Sequence, residues 1–74
     1  MKSISVTIVE DELLIAESIR IYLLERGHQV VDICISYEEA IASLNNNPPD
    51  IFLLDIRLYG DKSGIDVAHH IAQN

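Results

Sequence analysis

Glu10, Asp11 and Asp55 are three carboxylates placed where they could act together. Glu10 and Asp11 directly follow the β-branched run at 4–9, and Asp55 closes the apolar run at 51–54. If both runs are parallel strands of one sheet, their carboxyl ends lie on one edge, and the binding crevices of open α/β sheets lie outside that edge. Carboxylates held side by side raise one another's pKa and resist joint ionisation. A hard divalent cation removes the conflict. Mg²⁺ suits it best, because it accepts carboxylate oxygens and keeps several waters that a phosphate oxygen can displace. Asp55 would then be a carboxylate nucleophile in phosphoryl transfer, with the metal offsetting charge on the incoming oxygens. Taken singly, each acid reads as a solvated loop residue. The convergence of all three on one edge favours the chemical reading.

The elements that must position them follow from the pattern. Residues 4–9 (Ile-Ser-Val-Thr-Ile-Val) form a first strand that stops at Glu10-Asp11-Glu12. Ala16, Ile19 and Leu23 then fall at helical spacing, Ile15 widens the stripe, and Gly27 ends the helix as its C′ residue. Residues 28–35 form a second strand. Ser36 with Glu39 has the form of a capping box, Ala40, Ile41 and Leu44 supply a helical face, and Pro48-Pro49 closes it. Ile51-Phe52-Leu53-Leu54 is apolar without alternation, which predicts a parallel strand covered on both faces. After a polar loop at 59–64, a third helix begins with Ile65, Ala68 and Ala72, flanked by Val67 and Ile71. The expected order is βαβαβα, an α/β fold with helices on both sheet faces.

Composition narrows the function classes. Seventy-four residues allow one small domain, which buries only about 60% of its unfolded surface. Twelve acidic against five basic residues give a formal charge of -7, which argues against direct nucleic-acid binding by this segment. The single cysteine, Cys34, excludes an internal disulfide and reads as a buried, inert thiol. The sequence lacks the long apolar stretch of a membrane span and the features of a signal peptide, so a soluble, cytoplasmic protein is expected.

Ile8-Val9-Glu10-Asp11-Glu12, a first helix ending in Gly, Pro49-Asp50-Ile51-Phe52-Leu53-Leu54-Asp55-Ile56-Arg57-Leu58, and Gly64-Ile65-Asp66 together resemble the response-regulator receiver family of two-component signalling. The likeness runs along the whole chain, and the Asp11-to-Asp55 spacing fits it. It implies a flavodoxin-like parallel sheet, here truncated to three strands in the order 2-1-3 and three helices. Asp55 matches the phosphoacceptor, which takes its phosphoryl group from a histidine kinase. Glu10 and Asp11 match the acidic pair that binds Mg²⁺, Asp11 as the more direct ligand. Arg57 matches the position whose backbone carbonyl completes the protein's metal ligands. Downstream, an effector or an output domain, often DNA-binding, would read the phosphorylated state.

Three departures from the family pattern bear on this. The loop after the acceptor, Leu58-Tyr59-Gly60-Asp61-Lys62-Ser63-Gly64, is one residue longer than usual and lacks the common Pro, which marks a subfamily. Ser63 stands where Asp is common, with only a local turn expected to change. The family's last two strands, with their Ser/Thr hydroxyl and Lys ammonium, are not in this sequence, so residues 1–74 read as a partial receiver with weakened Mg²⁺ binding and poor phosphotransfer. Strand three would then be an apolar edge open to pairing with another copy.

The remaining candidates are weaker. His69 and His70 point about 100° apart on a helix and do not chelate together, so a solvent-facing helix is expected. Tyr22 and Tyr37 read as packing residues, and Tyr59 as a loop residue beside the acceptor. Lys62 does not stand in for the family's Lys. Two other functions compete: a receiver-like interaction or dimerisation module without phosphotransfer, and an Asp-nucleophile phosphatase. The phosphatase commonly has a second acid two residues after the nucleophile, and Arg57 occupies that place, so no enzyme acting on outside substrates is expected.

Overall fold

β-Branched and apolar runs separated by capped helices give a layered α/β arrangement. The computed structural model describes residues 2–55, 57–58 and 60–73. In order come β1 (Ser5–Val9), α1 (Leu13–Glu25), β2 (Gln29–Cys34), α2 (Tyr37–Asn46), β3 (Ile51–Leu54) and α3 (Gly64–Ala72). The three strands are parallel and ordered β2-β1-β3, as the family resemblance implies. Between β1 and β2 the register shifts by one residue, so that Val6 pairs with Val30 and Thr7 with Asp32.

β1 is the central strand and is buried from Val6 to Val9. On one face Val6 and Ile8 pack with Ala16, Ile19 and Leu23 of α1 and with Val30 and Ile33 of β2. On the other, Val9, Cys34, Ala40 and Val67 form a core against which Tyr37, Phe52, Leu54, Leu58 and Ile71 pack. Helices therefore cover both faces, α1 on one side and α2 with α3 on the other.

The helix ends follow local chemistry. Gly27 adopts φ 83°, the left-handed conformation that suits glycine. His28 N–H donates to Leu23 O (3.0 Å) and Gly27 N–H to Leu24 O (3.0 Å), the paired bonds of a Schellman end. At α2, Ser36 Oγ accepts from Glu39 N–H (3.2 Å), but the Glu39 carboxylate reaches back one residue further than a capping box requires, to Ile35 N–H (3.0 Å). The reciprocal box forms at α3 instead, between Ser63 and Asp66. Ser63 is thus the N-cap of α3, a position that Asp would fill equally well.

Burial corrects three expectations. β3 is not covered on both faces: Phe52 and Leu54 pack on the α2/α3 core, whereas Ile51 (43%) and Leu53 (39%) are exposed, because α1 lies over β1 and β2. α3 seats Gly64, Val67 and Ile71 rather than Ile65, Ala68 and Ala72. Ile15 does not widen the buried stripe of α1; it is exposed.

Candidate functional site

The site begins with the backbone that sets its register. Ser5 N–H donates to Asp50 Oδ2 (2.9 Å), and Asp50 N–H donates to Ser5 O and Ser5 Oγ (2.9 Å each). The first of these bonds holds the Asp50 carboxyl below its ordinary range. These bonds fasten the start of β3 to the start of β1. At the other end Asp55 N–H donates to Val9 O (2.9 Å) and Glu10 N–H to Cys34 O (2.9 Å). Glu10 and Asp55 thereby leave neighbouring strands at the same edge.

One carboxylate oxygen from each of Glu10, Asp11 and Asp55 lies within 4.8 Å of the others. Asp11 is exposed, and Glu10 and Asp55 are partly buried. Glu10 Oε2 accepts from Glu12 N–H at 3.2 Å. Burial raises the Glu10 carboxyl above its ordinary pKa, the Glu12 N–H opposes that rise, and the neighbouring Asp55 and Asp11 carboxyls add to it. The charge conflict expected from the sequence is thus felt at Glu10, where it adds to the larger effect of burial. The cluster's donors are all oxygen and suit a hard cation.

Arg57 is exposed, and its N–H approaches Asp55 Oδ1 at 3.4 Å, a long contact that ties the first turn of the loop to the acceptor candidate. Leu58 packs on the α2/α3 core. A groove of about 330 Å³ lined by Ile8, Val9, Glu10, Ile19, Leu53, Leu54 and Asp55 opens beside the carboxylates. Tyr59 lies outside the described residues.

Other candidates fall elsewhere. His69 is exposed, but His70 is half-buried, with Nδ1 3.5 Å from the Tyr37 hydroxyl, so only one of the pair faces solvent. Cys34 is buried, and burial pushes its thiol up to about 11, which makes it inert at neutral pH. Tyr22 is a surface residue under the Arg26 guanidinium, 3.5 Å from its ring centre. Sequence reasoning missed the contact of the Lys62 ammonium with the Tyr37 ring face, at 4.4 Å. Residues distant in sequence make it, and no spacing rule pairs them.

No helix is long and apolar enough to cross a membrane among the described residues. A sequence profile of the response regulator receiver domain matches residues 6–74. The chain is 39% identical over 70 residues to the sensory transduction protein LytT of Bacillus anthracis, covering 89% of this chain and 27% of LytT. It superposes on the anti-anti-sigma factor PhyR of Bartonella quintana, solved in complex with the anti-sigma factor NepR, with a TM-score of 0.90 and 40% identity. That match covers 97% of this chain and 30% of PhyR. The receiver domain of PhyR from Erythrobacter litoralis gives a TM-score of 0.90 at 30% identity, covering 99% of this chain and 57% of that domain. The chain thus spans about a quarter to a third of LytT and of the Bartonella PhyR, and just over half of the Erythrobacter receiver-domain chain. Motif, strand order and profile agree: this chain belongs to the response regulator receiver domain family.

Proposed function

We propose that residues 1–74 act as part of a phosphoacceptor domain of two-component signalling, with Asp55 as the acceptor. The observation that carries this reading is the convergence of Glu10, Asp11 and Asp55 at the carboxyl edge of β1 and β3. A carboxylate oxygen of Asp55 would attack phosphorus in the phosphohistidine of a histidine kinase. The P–O bond to Asp55 forms as the P–N bond breaks, and the electron pair leaves with the imidazole. Glu10, Asp11, Asp55 and the backbone carbonyl of Arg57 would hold Mg²⁺. Bound there, the ion supplies positive charge that offsets the phosphoryl oxygens. Among the chain's own groups, Asp11 is the open ligand, and Glu10, partly buried and tied to the Glu12 N–H, acts through water. An effector or output domain reads the result, and a cytoplasmic location belongs to the same reading.

Intact-mass spectrometry after incubation with acetyl phosphate and Mg²⁺ tests it. A gain of roughly 80 Da, absent in Asp55→Asn, is expected. No gain after prolonged incubation, in this chain and in a longer one that contains it, would remove Asp55 from the acceptor role.

A second reading, an interaction module, is favoured by the exposed Ile51 and Leu53 on the β3 edge. PhyR of Bartonella quintana engages a protein partner, NepR. For this chain the simplest occupant of the edge is a second copy.

A further inference from the structure

We propose that Tyr37 is a positioning residue for the acceptor loop: its ring face takes the Lys62 ammonium and fastens the segment that carries Arg57 and Leu58 to α2. The inference rests on the reading of Asp55 as acceptor for its functional meaning, and on geometry for its content.

Tyr37 is held from two sides. As the first residue of α2 it packs, half-buried, on the core of Val9, Cys34, Ala40 and Val67. Its hydroxyl lies 3.5 Å from His70 Nδ1 on α3, and the two rings meet edge-on at 90° with centroids 6.2 Å apart. A ring fixed in this way offers a rigid face, and Lys62 Nζ sits 4.4 Å from its centroid. The choice of partner is informative. In a chain with twelve acidic residues, among the described residues the one carboxylate ion pair is Arg20 with Glu17, and Lys62 lies on an aromatic face instead. Cation–π attraction is suited to this, because the ring quadrupole draws the ammonium without demanding full desolvation.

The contact reaches the acceptor by short steps. Leu58 packs on the same core as Tyr37, so the loop touches the α2 side at both Leu58 and Lys62. Arg57 directly precedes Leu58, and its N–H approaches Asp55 Oδ1. Beyond Lys62, Ser63 is fixed by its box with Asp66, Ser63 N–H donating to Asp66 Oδ2 at 2.7 Å. Tyr37 thus closes the stretch of loop between the Leu58 anchor and the Ser63 cap.

The test uses nuclear magnetic resonance on the full 74-residue chain, with no phosphodonor and no divalent ion, so its failure is separable from failure of the acceptor reading. Lys62 ε-methylene protons are expected upfield, in the ring current of Tyr37, and to return to the ordinary position in Tyr37→Leu. Lys62→Met should speed amide exchange at Arg57 and Ser63 by about two- to fivefold, the factor carried by a cation–π contact at an exposed site. Lys62→Arg, which keeps the cation, and Tyr37→Phe, which keeps the ring, should hold the parental rates. Unshifted Lys62 protons would overturn the proposal and leave a solvated surface lysine. So would equal acceleration at the β1 amides in Lys62→Met, or loosening by Tyr37→Phe as large as by Lys62→Met, since the ring face would then not be what holds the loop.

Discussion

Glu10 sits under two opposing demands. Burial favours its neutral form, and the Asp55 and Asp11 carboxyls favour it further, while the Glu12 N–H favours the charge. The folded state therefore holds a proton at Glu10 more readily than the unfolded chain does. Its contribution to stability is full below the unfolded pKa near 4.5 and is lost as pH rises through the raised folded value. Glu10→Gln removes the charge and keeps an oxygen for the Glu12 N–H. In the absence of divalent ions the variant should be more stable than the parent at pH 7, by a few tenths to about 1 kcal/mol after solvent screening. The difference should close as pH falls toward 4.5. With Mg²⁺ the order should reverse, because the parent alone keeps all three carboxylates to share with the ion. Urea denaturation at both pH values, with chelator and with Mg²⁺, measures this. A variant less stable than the parent at pH 7 in chelator would show that the cluster is not under repulsion.

At the scale of elements, the ends of helices carry much of the specificity. α3 has nine residues, too few to persist by propensity, so its cap and its seat on the core must hold it. Ser63 supplies the cap by accepting from Ile65 N–H at 3.1 Å and by sharing the Asp66 carboxylate. Ser63→Ala should cost about 1 kcal/mol in urea unfolding, whereas Ser63→Thr should retain most of it. Equal stability of Ala and Ser at this position would mean that the box contributes nothing. The order of strands and helices was legible in the sequence because β-branched runs, Gly27 and Pro48-Pro49 each act locally. The covered side was legible for α1, where Ala16, Ile19 and Leu23 pack on the sheet, but not for α3 or β3. Ile65, Ala68 and Ala72 match a helical period as well as Gly64, Val67 and Ile71 do, and only the sheet beneath α3 selects between them. The same limit held at the site. The three acids were legible as positions after strands, but their approach within 4.8 Å depends on register. That register is pinned by the Ser5–Asp50 bonds, which join residues forty-five positions apart and leave no periodic trace.

For the whole molecule, the distribution of apolar surface is uneven in a way that bears on association. The α2 and α3 side closes over Val9, Cys34 and Val67, all at most 1% exposed. On the α1 side Ile51 and Leu53 face outward beside the groove, and among the described residues β3 pairs with β1 alone. An edge strand with open backbone groups and an apolar face is a template for another strand. Opposing this is the formal charge of -7 on every copy, which repels self-association and does so less as salt rises. Hydrophobic burial and charge repulsion therefore act against each other, and salt should tip the balance. Sedimentation of the 74-residue chain should show association that strengthens with concentration and with added NaCl. Leu53→Lys places a charge on the open face while leaving the Phe52 and Leu54 side untouched. It should abolish association at high salt, since burial of a leucine is worth about 1.5–3 kcal/mol, or roughly tenfold or more in the dissociation constant. A parent that remains monomeric in high salt at high concentration would remove the β3 edge as a contact between copies. Association that survives in Leu53→Lys would move the contact to the exposed apolar residues of α1, where Leu14 is 87% exposed.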